Sequence, residues 1–525
     1  MNQFIEKFAA HIQGILTGFD RLVFRGHLRR IVYRNGMMSY LWAQKVLLKH
    51  FGQHVEETSR QIKQASLQVA EQHHRPCLYL QSSQTNKEKL AQGLAARDKI
   101  QQGLICVLSC VEPCMSFEVH RNAQTQHLEL RPTVRKCLHI YQYWKHPQLG
   151  FMNARLQTWF PFSVQICLNG REWLARTMDQ HGMAYQKQDN CFLWIQDYAQ
   201  AQKWMEEQLQ THWPELLQGI AAQLNPIHEQ IFARFPTPYY WSTYQSEWAM
   251  DLNFEPQQLR RLYPKLLHLG ITCFSSTHVL RFLGKKPNQN GQVPAQLTQQ
   301  VTTDLRPRQE GVRLKHFLGA NSIKLYDKAY TQQAAILRPE FTLNDPSQFK
   351  VYRPKEGGSQ EDLQWRVLRR GVADLHRRTQ VCQKALDRYC DALASVDDST
   401  TLEELTQSLE RRVTWQGQKV RALHPLDPQD RQLLKVVNQG EFSLHGFRNR
   451  DVRQLLYPTP ATSQQQDRQR SAAISRKLRL LRAHGLIQKL PHTHRYQVTP
   501  KGRQTINVIL AAGHATLNTL LAQAA

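Results

Sequence analysis

The stretch HGLIQKLPHTHRYQVTPKGR, residues 484–503, decides how the last part of the chain is read. LIQKL and RYQVT are short apolar-polar runs on either side of the polar tip PHTH, the pattern of a β-hairpin. Thr499 before Pro500 supplies an N-cap with proline at the first helical position, so a new helix opens there. Just upstream, QDRQRSAAISRKLRLLRAHG reads as a helix, with Gly485 suited to the position after its C-cap. On that helix Ile474, Leu478 and Leu481 fall on one stripe, which predicts a buried face. Arg476, Arg479 and Arg482 recur every three residues on a different face, with Lys477 among them. Arginines so placed can reach phosphates or the guanine edge in a major groove.

Two further helices precede this one, PQDRQLLKVVNQG and GFRNRDVRQLLYP, stopped by Gly440 and Pro458. From Asp427 to Ala525 there are 15 Lys and Arg against 5 Asp and Glu, a net +10. The order helix, helix, helix, hairpin, helix, with the signature LIxK…RYxVTxKGR, resembles winged-helix domains of the MarR/PadR kind. The resemblance implies a recognition helix over 468–484 and a wing over 486–498. His492, His494 and Arg495 would then touch nucleic acid at the wing. A second reading of His492 and His494 is the histidine pair of rolling-circle nicking enzymes. Those enzymes flank an apolar residue with their histidines, whereas Thr493 stands here at a turn, so the wing tip is the simpler account.

The rest of the chain is consistent with a polyanionic partner. Its 525 residues carry 68 Lys and Arg against 42 Asp and Glu, a formal +26, and such an excess creates a long-range positive field. Nucleic acid fits that field best. An anionic membrane surface is the alternative, but no apolar run approaches the ~18 residues needed to span a bilayer. MNQFIEKFAAHIQGILTGFDR has no basic start and no cleavage-like site, so no signal peptide is expected. The 10 scattered cysteines then point to free thiols in the reducing cytoplasm. Cys106, Cys110 and Cys114 are spaced unlike a common zinc pair and lie in a strand-like run. They are expected to be core thiols, with a metal site as the alternative.

Length alone implies several domains. The expectation is a multidomain α+β protein. A mixed α/β basic domain spans 1–235, and aromatic-rich helices with a β-hairpin domain span 236–360. A basic helical connector spans 361–425, and the winged helix 426–525. In the first domain, residues 1–75 read as mostly helical around RLVFRGHLR, and PCLYLQSS, NKEKLAQGLAARDKIQQG and GLICVLSCVEP form a β-α-β pattern. Residues 239–284 read as helical. GVRLKHFLGANSIKLYDK and ILRPEFTLNDPSQFKVYR read as paired strands, and LQWRVLRRGVADLHRRTQVCQKALDRYCDAL as one basic helix.

Several segments carry candidate chemistry. RLVFRGHLRRIVYR places Arg21, Arg25, Arg29, Arg30 and Arg34 close together, which suits a surface covered by a polyanion. Arg369, Arg370 and HRR at 376–378 add a second basic surface. Trp159, Phe160 and Phe162 with Arg155 and Arg171 suit either a β-core or stacking on unpaired bases. SIKLYDK followed by LRPEFTLN resembles a strand pair of rolling-circle replication initiators, matched at Tyr326, Asp327, Lys328, Arg338 and Glu340. That resemblance implies Asp327 and Glu340 as catalytic carboxylates holding Mg2+ for phosphodiester cleavage. The alternative is that these acids pair with neighbouring Lys and Arg. Asp20, Glu112, Glu172 and Asp251 also stand beside strand-like runs and could join such a site. No phosphate-binding P-loop, dinucleotide fingerprint, nucleophile elbow or H-E-x-x-H motif is present.

FDRLVFRGHLRR, VLSCVEPC, RLQTWFPF, NGREWLAR and SIKLYDK resemble recurring segments of a large bacterial protein family. This implies a bacterial source and an association with mobile elements, and it carries over no catalytic residue. The expected function is nucleic-acid binding, to DNA or structured RNA. A metal-dependent nuclease, transposase or replication initiator is the alternative, and a transcriptional regulator the next. The sequence leaves the oligomeric state open.

Overall fold

The computed structural model describes residues 2–274, 276–282, 284, 301–308, 311–328, 335–355, 358–359, 361–396, 401–439, 442, 446–491, 493–513 and 515. Helix and strand are mixed throughout. The chain divides into two compact units, each built from separate stretches. The first holds residues 1–14, 252–369 and 377–525, and the second holds residues 15–251 and 370–376.

The chain begins with the short helix α1 (Gln3–Lys7) and then β1 (Ile12–His27), which enters the second unit at Ile15. There follow α2 (Arg34–Ala43), α3 (Phe51–Gln72), β2 (Cys77–Tyr79) and α4 (Lys87–Arg97). A long hairpin of β3 (Gly103–Arg121) and β4 (Leu128–His146) leads to β5 (Gly150–Gln157) and β6 (Val164–Asn169). Then come α5 (Gly170–Gln180), the hairpin β7 (Tyr185–Gln188) and β8 (Cys191–Ile195), α6 (Tyr198–Glu207), α7 (Trp213–Leu224), α8 (His228–Ile231) and β9 (Tyr240–Phe254). The sheet of this unit runs β9-β1-β6-β5-β4-β3-β2. From β1 to β3 the neighbours are antiparallel, and β2 joins β3 in parallel. The segment 370–376 returns to this unit, where Gly371 bridges Ser242 and the Thr243 N–H donates to the Arg370 carbonyl at 2.7 Å.

The first half of β1, residues 12–20, and β9 correct the expectation of helix, while RLVFRGH, read as a strand-like interruption, is strand. Residues 12–27 are a strand because their apolar side chains face both ways, which mimics helical spacing, while Gly14, Gly18 and Gly26 suit close approach in a sheet. A Cβ on Gly18 would lie 2.0 Å from the Met205 Cε. β9 is likewise covered on both faces through most of its length, so alternation is hidden; its β-branched and aromatic residues were the available strand signal. Where α5 begins, the Asn169 side chain accepts from the N–H groups of Arg171 and Glu172 at 2.8 and 3.2 Å.

In the first unit, α9 (Pro256–Thr272) and α10 (Ser276–Phe282) precede four antiparallel strands in the order β10-β11-β12-β13. These are β10 (Val301–Arg308), β11 (Gly311–Leu318), β12 (Asn321–Lys328) and β13 (Ala335–Leu343). A small hairpin follows, β14 (Lys350–Arg353) with β15 (Gln364–Val367). β15 is a second correction: LQWRV is strand, and the helix α11 (Leu375–Leu393) starts only after Gly371 and a single turn. Arg369 and Arg370 therefore precede that helix rather than lie on it.

The C-terminal part has α12 (Leu402–Gln407), the hairpin β16 (Val413–Trp415) and β17 (Gln418–Val420), then α13 (Pro428–Val437) and α14 (Asn449–Leu456). It ends with α15 (Gln464–Ala483), the hairpin β18 (Ile487–Lys489) and β19 (Tyr496–Val498), and α16 (Pro500–Ala512). Ile474, Leu478 and Leu481 are buried in one core with Leu433, Val437, Phe447, Val452 and Ile506. Each such side chain contributes roughly 1.5–3 kcal/mol on burial. Gly485 follows the α15 C-cap with φ +70°, and the Thr499 hydroxyl caps α16 by accepting from the Gly502 N–H at 2.9 Å. The same core reaches upstream to Leu409, Val420 and Leu423, so the β16–β17 hairpin packs with it.

Candidate nucleic-acid interface and carboxylate pair

In the second unit, Arg25 on β1 and Arg29 and Arg30 just after its end lie against aromatic rings. The Arg25 guanidinium lies 3.5 Å from the centroid of the Tyr244 ring, Arg29 3.1 Å from Tyr240, and Arg30 4.0 Å from Phe235. Arg30 also donates to the Pro236 carbonyl at 2.6 Å, and the Arg21 Nε to the Cys167 Sγ at 3.2 Å. Stacking fixes each fork while leaving its edge able to bond a ligand. Burial lowers the proton affinity of Arg25; the Tyr244 ring opposes this, and the charges of Arg155 and Arg370 add to it.

The sheet continues that surface. Arg25 pairs with Gln165, Gln165 with Arg155, and Arg155 with Tyr141, so one cross-strand row carries four polar side chains. At its end Glu112 accepts from the Tyr141 hydroxyl at 2.8 Å and pairs with Lys87 at 3.1 Å and Arg155 at 3.3 Å. Burial alone would raise the Glu112 carboxyl, but hydrogen bonds from Tyr141, Cys110 and Lys87 outweigh it and hold it at about 2. Phe160 and Phe162 are fully buried core residues, while Trp159 is half-buried.

The acids separate into distinct roles. Glu172 pairs with Lys187 at 2.5 Å, and buried Asp251 with buried Arg171 at 3.2 Å. Asp20 is buried on β1, and both its oxygens accept from the Asn190 side chain, at 2.9 and 2.8 Å. Within the same unit a carboxylate oxygen of Glu247, on β9, lies within 4.8 Å of one of Asp20. Two ligand oxygens at that separation can share a divalent cation with metal–oxygen distances of roughly 2.1–2.4 Å. Glu247 was not singled out from the sequence, because a segment read as helix gives no reason to set it beside Asp20.

Asp327 and Glu340 do not form a joint site. Glu340 stands opposite Lys324 and is ion-paired to it at 2.5 Å, both residues being buried. Asp327 is three residues beyond Lys324 on β12, so alternation points it to the opposite face. Burial raises its carboxyl to about 6, partly opposed by Arg260.

The C-terminal arginines also divide. Arg476 is exposed and Lys477 half-buried on α15. Arg479 donates to the Gln418 side chain, and Arg482 lies 4.7 Å from the Trp415 ring, so the β16–β17 hairpin engages both. The exposed side of α15 includes Gln465, Arg468, Ala472 and Arg476. Arg495 is buried, donates to the Gly446 carbonyl at 3.3 Å and lies 4.8 Å from the Tyr352 ring, which makes it part of the framework. His494 is exposed, and His492 lies outside the described residues. Arg370 is exposed and Arg369 half-buried, whereas Arg378 is fully buried and donates to the Leu343 carbonyl at 2.7 Å. Cys106, Cys110 and Cys114 are buried free thiols, with the Cys114 Sγ 3.1 Å from that of Cys137.

Comparison of the chain with protein-family models, with curated proteins and with solved structures returns no match. No described helix is long and apolar enough to cross a membrane.

Proposed function

We propose that this is a cytoplasmic, bacterial nucleic-acid-binding protein, acting within a mobile-element ribonucleoprotein. The observation that carries the reading is the set Arg25, Arg29 and Arg30, at and just after the end of β1, laid on Tyr244, Tyr240 and Phe235. Cations held on aromatic rings recur where proteins track a phosphate backbone. A winged-helix reading of the C-terminal part supplies a duplex contact, with α15 as recognition helix and β18–β19 as wing. Its support is the element order and the antiparallel bridge between Phe447 and Tyr496, which adds a third short strand beside the hairpin. Binding to labelled single-stranded and duplex oligonucleotides should weaken steeply with salt. Affinity absent at low salt for DNA and RNA alike would refute the function.

The Asp20–Glu247 pair favours a second reading, a metal-dependent phosphodiester-cleaving enzyme. Asp20 and Glu247 would hold a divalent cation such as Mg2+, and the cation would polarise the scissile phosphate. This reading expects nicking in Mg2+ or Mn2+ that is lost in Asp20→Asn and in Glu247→Gln. Equal activity in both variants would assign the pair to structure.

A further inference from the structure

The middle of the cross-strand row in the second unit is lined by donors. Arg25 and Arg155 flank Gln165 on adjacent strands. Strands lie about 4.8 Å apart, so the two arginine backbones are roughly 10 Å from each other, a span two guanidinium forks can close over one tetrahedral anion. The Arg25 Nε is buried with no acceptor among the described residues. The Gln165 Oε1 accepts from Arg155 at 3.4 Å, which orients its amide NH2 as a further donor.

Arg155 is loosely held. Its bonds to Glu112 and Gln165, at 3.3 and 3.4 Å, are long for a charged donor, and Glu112 is served more closely by Tyr141 and Lys87. Lys87 and Arg155 together share one carboxylate, that of Glu112. A half-buried place with donors and surplus positive charge is completed by an anion.

We propose that Arg25, Gln165 and Arg155 form a phosphate-binding subsite, and that its ligand is a backbone phosphodiester of a single strand. The proposal rests on the nucleic-acid reading above. It adds Arg155 and Gln165 as ligand-contacting residues and gives Glu112 the role of releasing Arg155 to the phosphate.

The test is fluorescence anisotropy of a labelled single-stranded oligonucleotide with the full chain across a salt series. Arg25→Gln plus Arg155→Gln should make the slope of log K against log salt shallower by roughly 0.7, the loss of one phosphate contact. Arg155→Lys, which keeps the charge, should keep most of the slope while losing affinity. Wild-type binding with an unchanged slope in the double variant would overturn the subsite and leave the function standing. No wild-type binding would overturn both. At constant ionic strength, inorganic phosphate is the second probe. A rise in melting temperature that the double variant lacks, with the oligonucleotide slope unchanged, would overturn the strand as ligand. The double variant must melt as wild type does; if it does not, Gln165→Leu tests the same place and should lower affinity with little change in slope.

Discussion

The segment that runs from β1 past its end, residues 21–34, and helix α15 are both crowded with arginine, yet they use it differently. Arg25 on β1, and Arg29 and Arg30 just after it, lie on aromatic rings. On α15 the series 476, 479, 482 is divided, with Arg476 exposed while Arg479 and Arg482 hold the β16–β17 hairpin. One run of arginines is thus laid on aromatic rings, and the other is partly engaged by a neighbouring hairpin. Arg171 gives the opposite extreme. It is fully buried and donates to the carbonyls of Gly18 and Ala249 and to Asp251.

The strongest way to sharpen the comparison is Arg171→Ala. Removing this buried guanidinium strips Asp251 of its ion pair and leaves the Gly18 and Ala249 carbonyls without their donor, which should cost about 3–5 kcal/mol, read by chemical denaturation. A loss under 1 kcal/mol would mean that the arginine is no anchor. Smaller effects should separate the two halves of α15. Arg482→Ala should lower stability by about 0.5–1 kcal/mol through the lost stacking on Trp415. Arg476→Ala should leave stability unchanged and weaken duplex binding by roughly 1–3 kcal/mol if it reads a base. Reversal of that pattern would place the recognition surface on the other side of the helix.

The smallest effect concerns pH. Asp327 has a folded value raised to about 6 by burial, above its unfolded value. The fold thus favours the protonated carboxyl, and that help is present at low pH and lost as pH rises through about 6. Asp327→Asn should therefore raise the melting temperature more at pH 8 than at pH 5. An equal shift at both would show that the carboxyl is not desolvated.

The C-terminal elements were legible because their signals are local: the Ile474–Leu478–Leu481 stripe, Gly485 after the cap, and Thr499 before Pro500 all fall where the sequence places them. Strand β9 was not, since burial on both faces removes the alternation that marks a strand. The candidate site was legible only in part. Arg21, Arg25, Arg29 and Arg30 announce themselves by number, but their aromatic partners lie more than 200 residues away in the case of Arg25 and Tyr244. Asp20 was visible as an acid beside a strand, and Glu247 became its neighbour only through pairing that no local pattern encodes. Asp327 and Glu340 looked joined because they are close in sequence, while alternation along β12 and β13 sets them on opposite faces.

The return of residues 370–376 to the second unit has a consequence for synthesis. That unit is complete through Asp251 except for this seven-residue segment, which leaves the ribosome after the intervening 252–369. At about 5–20 residues per second the interval is roughly 6–24 s. Throughout it the Thr243 N–H awaits the Arg370 carbonyl, and the nascent chain carries an unfinished edge on β9.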